Sequence, residues 1–552
     1  MSQPHHAARP GHGLARRDDA VAARPGHAHP RITRTEVTAV IGLTAAFALL
    51  LDTWALVTPP LHGPDELAYV DASMHLALGE AWPAAGSMHY LQGLLAQGLP
   101  MLPQIAPDRV AFGALVGDHT VNTLVNPMSQ HPPTYFLVQS LVARALDFTT
   151  RRWDVVVLGM RLVDVVLTTA VLPLVWAAVR RVTRSPRIAV LAAGALLLVP
   201  QLVQFGASVN AWVPVVTAGA LATWLGVRVL TGDRSWWTAL ALGGSLAVGT
   251  AVMAGGFIAV PFAVVVVLCA RSDAGRVSWT DRVLRLVVVL AVPAVTTGWW
   301  WIRQLLRTGM LQPDALPTTT TAWPALEGPD PVAFAGTMWN GLSDTFWGRL
   351  GRYEWPLSPV FVDSVTVLAL AVLVWAVARR TVDRRSLLVA AVFPVTALVV
   401  VFVRDWATYA GHTGVTVTQG RFLFPTVAAL LVMQAVAWRG LVLDPRVRRR
   451  LGRALLVVAP LVAVTALALL YGASYENLQF RVSDAGIGHL STTTPYGLRA
   501  IAAAVAALVV VGAVTAVVIW RWTGRTPEHE RPADDSPLDF PPSDVTTQRN
   551  NP

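Results

Sequence analysis

Long apolar stretches alternate with short polar connections along most of this chain. A helix needs about 20 apolar residues to cross a membrane, and this pattern predicts an all-α polytopic membrane protein with 12 transmembrane helices. The apolar stretches lie near 37–57, 155–179, 188–207, 211–230, 237–252, 255–270, 283–302, 361–378, 386–403, 422–438, 453–472 and 498–520. A thirteenth candidate at 134–148 is shorter and contains Arg144.

The distribution of arginines bears on that thirteenth segment. If 134–148 does not cross, the Arg-rich connections at 180–187, 271–282 and 439–453 fall on the same side as the basic N-terminus. That arrangement agrees with the positive-inside rule. We therefore predict a multi-pass protein of the plasma membrane with both termini cytoplasmic. Segment 134–148 is then an interfacial or re-entrant helix, and a crossing here would make 13 helices.

The polar segments divide the chain into one membrane domain and two tails. Residues 1–35 and 522–552 lack apolar periodicity, which predicts disordered cytoplasmic tails. The membrane domain covers 36–521. Its two longest extracytoplasmic loops, 58–154 and 303–360, far exceed a simple helix-to-helix connection, and loops of that length are usually functional or disordered. We expect juxtamembrane helices in the first of them.

Composition narrows the class of protein further. The 552 residues are 54% hydrophobic and 14% charged, and the mean hydropathy is +0.51. The net charge of +10 falls mostly in short connections and in the N-terminal tail, so membrane topology explains it and no nucleic-acid partner is implied. The one cysteine, Cys269, excludes an intrachain disulfide and a site built from several thiolates.

Two adjacent acids follow the first apolar stretch, in "HGPDELAYV". A carboxylate at a membrane rim can act as a general base on an acceptor hydroxyl, and Asp65 and Glu66 together could hold a divalent cation such as Mg or Mn. The alternative is structural: Asp65 caps a helix and Glu66 stabilises its N-terminal dipole.

Further motifs recur after these acids. The first loop closes with "HPP", which begins at His131, and later segments read "SVNAW", "TFWG" and "QGRFLFP". With "PDE", this ordered set resembles the polytopic C-type glycosyltransferase (GT-C) superfamily. It is similar in particular to an uncharacterised bacterial family of integral membrane proteins with PDE, HPP, FWG and QGR motifs. The resemblance covers roughly 50–450.

The resemblance implies a GT-C-like fold and an activity. Such a protein moves a sugar from a polyprenyl-phosphate-linked donor to a cell-envelope acceptor, which can be a glycan, a lipid or a protein, at the extracytoplasmic face. On this interpretation Asp65 is the catalytic base and Glu66 assists it. Residues expected to contact the donor phosphate or the substrate are Arg421, Arg303, Arg161, His131, Gln419, Asn210 and Trp347.

Arginine suits phosphate oxygens because its planar fork of donors matches them. Arg421 is preferred because it combines membership of a motif with a position near the outer end of a predicted helix. Within the membrane, Arg161 and Asp164 are one helical turn apart and are expected to form a local pair that Asp52 could join.

Two other functions remain open from the residues alone. A transporter or flippase of lipid-linked saccharide should carry its polar residues near the bilayer midplane, on interrupted helices. The short Gly-rich pair at 237–270 favours it, whereas the clustering of polar motifs at one face does not. A non-catalytic membrane protein of envelope assembly is the third possibility.

Overall fold

The structure is a computed structural model. It describes residues 32–98, 109–117, 119–271, 277–315, 321–324, 328–379, 383–411, 418–476 and 480–524. The predicted tails therefore lie almost wholly outside the described residues. At their inner ends both are shorter than predicted, because helix already begins at Arg34 and continues to Gly524.

The described chain is mainly helical. Its α-helices, in order, are α1 Arg34–Val57, α2 Glu66–Ala77, α3 Gln92–Gly98, α4 Phe112–Val116, α5 Thr134–Ala145, α6 Trp153–Thr183, α7 Pro186–Gly194, α8 Pro200–Gly206, α9 Trp212–Leu230, α10 Trp236–Val252, α11 Ala259–Leu268, α12 Trp279–Thr296, α13 Gly298–Thr308, α14 Pro331–Trp347, α15 Pro359–Ala378, α16 Arg384–Gly411, α17 Val427–Leu441, α18 Pro445–Tyr475, α19 Asp484–Thr493 and α20 Gly497–Gly524. Short 3₁₀ helices occupy Pro127–Gln130, Ala195–Leu198, Ala254–Ile258 and Gly420–Thr426.

Within the part of the chain that the structure describes, four short strands form two antiparallel pairs. β1 (His89–Leu91) pairs with β2 (Val121–Val125), and β3 (Arg349–Leu350) pairs with β4 (Trp355–Pro356). Both pairs lie in the connections that the sequence predicts to be long loops. These connections are therefore ordered over the residues described.

Among the described residues, eight helices are long and apolar enough to cross a membrane, and the number of candidate spans is ten if each of two bent helix pairs counts as one span. Each of the twelve predicted stretches corresponds to a helix or a bent pair, so the all-α polytopic class is confirmed. The number twelve is not, because α10 and the helical segment 254–268 are short. The predicted interfacial segment is α5, with only 12 residues, and it is not among the candidate spans.

The two bends have local causes. The break between α7 with its 3₁₀ extension and α8 is 79° and falls at Pro200, whose ring disfavours helix at the preceding residue. The break between α12 and α13 is 61°, with Pro293 just before it and Gly298 at the start of the next helix. Pro200 begins α8, which supplies polar side chains to the candidate site.

The core of the bundle is built by α1, α6, α9 and α17, which pack side by side. Their inward faces carry large apolar side chains with almost no exposure, among them Phe47 and Trp54 of α1. Phe205 of α8 and Phe424 are also buried, with ring centroids 5.3 Å apart. The connection between α1 and α6 folds over one end of the bundle, where α2 packs against α5. The first predicted loop, which carries the two adjacent acids, is thus attached to that end of the bundle.

Candidate active site

The two adjacent acids lie on a tight turn between α1 and α2. Gly63 is required there, because a Cβ on it would lie 2.4 Å from the Oγ of Ser208. Asp65 adopts a left-handed conformation, with φ of 55°, and its side chain makes no capping hydrogen bond to α2. A left-handed non-glycine residue is uncommon and stores some backbone strain. Asp65 thus precedes the helix, but its carboxylate is not used as the cap.

The Asp65 carboxylate forms an ion pair with Arg421, which lies 356 residues further along the chain. The Asp65 side chain is 37% exposed and that of Arg421 is 15% exposed, so the pair is open on the Asp65 side. The Arg421 guanidinium lies over the rings of Tyr353 and Phe422, at 5.8 and 5.7 Å from their centroids. Its buried Nε has no hydrogen-bond partner, which leaves a charged donor uncommitted.

Arg421 is held in position by its neighbour Gly420. A Cβ there would lie 2.4 Å from the carbonyl oxygen of Leu342 and from the backbone N of Phe346, so the chain approaches α14 as closely as only glycine permits. The Gly420 N–H donates to Oγ1 of Thr345 on α14. The "QGR" and "FWG" motifs are therefore two sides of one packing contact.

Tyr353 reaches Arg421 from the turn between β3 and β4. Gly351 and Tyr353 both have positive φ, 69° and 70°, which allows a turn of four residues. Two glutamines of α8 anchor it: Gln201 accepts from the backbone N of Arg349 at 2.6 Å, and Gln204 donates to the carbonyl of Gly351 at 3.2 Å. Burial and the Asp65 charge raise the pKa of Tyr353 despite Arg421, so its hydroxyl remains protonated.

His131 lies next to the same pair, at the end of the 3₁₀ helix Pro127–Gln130. Its backbone carbonyl accepts from Nε1 of Trp82 at 3.1 Å, while its buried Nδ1 has no partner. Burial and then the positive charge of Arg421 lower the pKa of His131 to about 4. The imidazole is therefore neutral at physiological pH and retains one uncommitted nitrogen.

Glu66 is arranged quite differently from Asp65, although it is the next residue. It is fully buried, and both of its oxygens accept from Arg161, Nε to Oε1 and Nη2 to Oε2, each at 2.7 Å. The same oxygens accept backbone N–H groups, Oε1 that of Val209 at 3.0 Å and Oε2 that of Gly63 at 3.1 Å. A carboxylate has about four acceptor positions, so Glu66 is fully engaged.

Arg161 is equally committed, and this corrects its predicted role as a phosphate contact. Besides Glu66, it donates to the carbonyls of Ala55 and Thr58 at 2.7 Å and of Pro59 at 2.8 Å. These bonds use all five guanidinium N–H donors. No donor remains for a phosphate, and Arg161 instead joins α6 to the end of α1.

The expected local pair of Arg161 with Asp164 is also wrong. Asp164 accepts instead from the Tyr135 hydroxyl at 2.6 Å, from Nε2 of Gln139 at 3.3 Å and from the backbone N of Asn210 at 3.0 Å. Within the described ranges, no hydrogen bond or ion pair joins Asp52 to Arg161 or Asp164, and Oδ1 of Asp164 is buried without a hydrogen-bond partner. Arg161 and Asp164 do not pair because α5 and α8–α9 bring closer donors and acceptors than the helical neighbours do.

Asn210 connects this buried network to the turn of the acids. Its Nδ2 donates to the carbonyl of Pro64 at 3.2 Å, and its Oδ1 accepts from the backbone N of Trp212 at 3.0 Å. Asn210 therefore positions the residue before Asp65 and faces the turn with its side chain.

Sequence reasoning missed Tyr135, Gln139 and Tyr353. For Tyr135 and Gln139 the signal was a polar side chain in an otherwise apolar run, whereas Tyr353 lies in the polar segment "GRYEW".

The remaining predicted residues are distributed around the site. Gln419 precedes Gly420, and its buried Oε1 has no partner. Trp347 donates to Oγ1 of Thr366 at 2.8 Å and so packs on α15. Arg303 is exposed on α13, with its guanidinium 5.8 Å from the ring centroid of Trp300. The structure thus unites Asp65, Arg421 and His131, and it gives Trp347 and Arg303 contacts elsewhere.

The fit of a divalent cation depends on whether Asp65 and Glu66 can share it. All acceptor positions of Glu66 are used by Arg161 and two backbone N–H groups, so it does not fit as a second ligand. Over the described ranges, no group of three or more His, Cys, Asp or Glu side chains is arranged to hold a metal ion. The predicted cation remains untested, and the paired acids are not its site.

Comparisons with known proteins give one family match. Residues 130–301, from just before His131 into the first turn of α13, match the family described as dolichyl-phosphate-mannose-protein mannosyltransferase. No curated protein matches the chain.

Among solved structures, ArnT from Cupriavidus metallidurans is similar in its undecaprenyl-phosphate-bound form, at 16% identity over 88% of this chain and 77% of that one, with a TM-score of 0.43. Its apo form is similar at 16% identity over 88% of this chain and 75% of that one, with a TM-score of 0.45. The Archaeoglobus fulgidus oligosaccharyltransferase in the apo form matches at 12% identity over 82% of this chain and 56% of that one, with a TM-score of 0.40. The resemblance of this chain to the C-type glycosyltransferase superfamily is confirmed by the family match over residues 130–301.

Proposed function

We propose that this chain is a membrane glycosyltransferase that moves a sugar from a polyprenyl-phosphate-linked donor to a cell-envelope acceptor at the extracytoplasmic face. The observation that carries the proposal is the open ion pair of Asp65 and Arg421. It combines a partly exposed carboxylate with a guanidinium that keeps a buried donor free. A base for an acceptor and a cation for a phosphate are the two groups that the reaction needs.

The reaction follows from these two groups. Asp65 takes the proton of the acceptor hydroxyl as its oxygen attacks the anomeric carbon of the donor sugar. The new glycosidic bond forms there while the bond from that carbon to the phosphate oxygen breaks. The departing polyprenyl phosphate takes the electron pair, and Arg421 stabilises its charge. When the phosphate pairs with Arg421, it competes with Asp65 for the guanidinium and so frees the carboxylate for the acceptor.

The surrounding residues prepare this pair without taking a proton. Glu66 and Arg161 fix the turn from one side, and Asn210 holds the carbonyl of Pro64 from the other. Two residues with positive φ, Asp65 and Tyr353, flank Arg421. Strained residues of this kind tend to cluster at functional sites. We assign His131 a neutral hydrogen-bonding role towards the substrate, because its pKa is too low for it to be charged.

The lipid-linked donor rests on the family match. The family name specifies a dolichyl-phosphate sugar donor, and its matched range contains His131, Arg161 and Asn210. The extracytoplasmic face rests on charge: α6 begins near the site and ends at the arginines of 180–187, which the positive-inside rule assigns to the cytoplasm.

The test compares membranes carrying the wild type or Asp65→Asn, supplied with a labelled polyprenyl-phosphate sugar. Loss of a general base lowers rates by about 10²–10⁴-fold, so we expect transfer by Asp65→Asn to fall by that factor. Asp484→Asn is the matched control, because Asp484 is an exposed acid in the first turn of α19. Equal transfer by the wild type and Asp65→Asn would remove Asp65 from the catalytic role.

A transporter of lipid-linked saccharide is the second candidate, since two apolar helix pairs are bent by 79° and 61°. Reconstituted vesicles distinguish it. Movement of the labelled lipid across the bilayer without a new glycosidic bond would favour the transporter, whereas a labelled product that depends on Asp65 would favour the transferase.

A further inference from the structure

A second cluster of charged side chains lies at the opposite end of α9 from Asn210. Here the connection from α9 to α10 and the start of α12 surround a narrow cleft. Its walls are apolar side chains of α9, α10, α11 and α12, and its rim carries Asp233, Arg234, Arg282 and Arg285. With α9 19 residues long, about 28 Å separate this cleft from the candidate active site.

Positive charge exceeds negative charge around the cleft. Asp233 is committed to Arg228, whose Nη2 lies 2.6 Å from its Oδ2. Asp281 is then the carboxylate that Arg234 and Arg285 share. Three arginines on the rim thus face one shared carboxylate.

Two of these arginines have donors to spare. Arg282 makes no ion pair within the described ranges, and its guanidinium lies 5.6 Å from the ring centroid of Trp279. Nη1 of Arg234 is buried and has no hydrogen-bond partner. Burial and, after it, the charges of Arg285 and Arg282 lower the pKa of Arg234, so part of the lowering is repulsion from these two neighbours. An anion in the cleft would relieve that repulsion.

Tryptophans indicate the depth of the cleft relative to a bilayer. Trp237 and Trp279, at the starts of α10 and α12, are 80% and 70% exposed, and Arg285 lies 4.3 Å from the ring centroid of Trp236. Exposed tryptophans at the ends of apolar helices are typical of the membrane interface. From this rim, the exposed apolar side chains Val283 and Val287 of α12 continue towards the middle of the helix. A lipid acyl chain could lie along them.

We propose that this cleft binds the phosphate of an anionic membrane phospholipid, in the leaflet opposite the Asp65 site. Arg234 and Arg282 contact the phosphate, Trp279 packs at headgroup depth, and the acyl chain follows α12. The arginine-rich connections at the same end of the bundle place this leaflet on the cytoplasmic side, where anionic lipids attract basic clusters. The proposal is independent of the glycosyltransferase assignment, because it concerns binding at the other end of the molecule.

The test uses the full chain purified in detergent and measured by native mass spectrometry with phosphatidylglycerol or phosphatidylcholine added. We expect preferential retention of phosphatidylglycerol. An arginine near an anionic lipid surface contributes a factor of about five in binding. Arg282→Gln should therefore weaken retention about fivefold, and Arg234→Gln combined with Arg282→Gln should weaken it further.

Arg379→Gln is the matched control, because Arg379 also lies 5.6 Å from a tryptophan ring, that of Trp375, but does not line the cleft. It should retain the lipid like the wild type. Equal retention by Arg282→Gln, by the double variant and by the control would overturn the proposal. So would displacement of the lipid by millimolar inorganic phosphate, since this would identify free phosphate as the ligand. Within the described ranges no carboxylate pairs with Arg282, so Arg282→Gln leaves no carboxylate without a partner and should not disturb the fold. An unchanged Tm of this variant verifies that.

Discussion

Asp65 and Glu66 are adjacent, carry the same functional group and each pair with an arginine, yet the two pairs differ in almost every physical respect. Glu66 and Arg161 are buried, and every donor and acceptor between them is used. Asp65 and Arg421 are partly exposed, and a buried donor of Arg421 is free. We call these the sealed pair and the open pair.

The difference shows how one turn can serve two purposes. Burying two charges is costly, and their attraction offsets that cost only when the geometry is good and the remaining hydrogen bonds are made. The sealed pair meets that condition, so it holds α1, α2 and α6 together. The open pair does not meet that condition. The exposed carboxylate of Asp65 and the free Nε donor of Arg421 are therefore available to a substrate. The sealed pair is therefore expected to control stability, and the open pair to control the reaction.

Removal of each carboxylate in turn should produce the largest difference in stability between the two pairs. Glu66→Gln leaves Arg161 as a buried charge without its partner, and breaking a buried pair in this way costs roughly 3–5 kcal/mol. Asp65→Asn keeps an amide oxygen that can accept from Arg421, and this pair is open to solvent on the Asp65 side, so the loss of stability should be smaller than for Glu66→Gln. Thermal unfolding of the two purified variants in detergent checks this. A Tm of Glu66→Gln equal to that of the wild type would contradict the structural role of the sealed pair.

Exchange of the arginines for lysine should give a smaller effect. Lysine has three donors on a single ammonium, so it cannot replace the five bonds of Arg161, and each buried acceptor left without a donor costs about 1–3 kcal/mol. Arg421→Lys keeps the charge but loses the planar fork that matches a phosphate. We expect Arg161→Lys to lower the Tm. We expect Arg421→Lys to lower kcat/KM for the lipid-linked donor by about tenfold.

Both the Tm and kcat/KM for the lipid-linked donor should be measured on each of the two lysine variants. If Arg421→Lys lowered the Tm as much as Arg161→Lys did, Arg421 would be a structural residue and the distinction between the pairs would fail. Asp65→Asn combined with Arg421→Lys separates the roles further, because both act on one step and their effects should not add.

The apolar pattern alone predicts most of the fold. The twelve stretches correspond to helices because burial in an apolar medium demands that the backbone satisfy its own hydrogen bonds. The number of membrane-spanning helices could not be predicted from this pattern. Two of the stretches are bent, at Pro200 and near Gly298, and the two at 237–270 are short. Length and composition do not reveal whether a bent or short helix crosses.

The sequence indicated three residues of the candidate site but not how its charged groups pair. The motifs gave Asp65, His131 and Arg421, which the structure brings together. They could not reveal that Glu66 pairs with Arg161, because the left-handed backbone at Asp65 sets the direction in which each acid points. Tyr353 was missed for a similar reason, since its approach to Arg421 depends on two positive φ angles in a turn of four residues.

Removal of single hydroxyl groups should give the smallest effect and the finest comparison. Tyr135 donates to Asp164 behind the sealed pair, and Tyr353 lies beside Arg421 of the open pair. Each change to phenylalanine keeps the ring. Tyr135→Phe deletes the hydrogen bond to Asp164, worth roughly 1 kcal/mol, whereas Tyr353→Phe removes a buried hydroxyl that has no hydrogen-bond partner within the described residues. Tyr135→Phe should therefore lower stability and leave kcat/KM nearly unchanged.

Tyr353→Phe should do the reverse, with a loss of about fivefold in kcat/KM and an unchanged Tm. The reason is that its hydroxyl, kept protonated by burial, faces the guanidinium that the donor phosphate is proposed to approach. Paired assays of unfolding and transfer on the two variants decide the point. If both variants changed only the Tm, or both changed only kcat/KM, the two hydroxyl groups would belong to one network. Tyr353 could then not be assigned to the open pair.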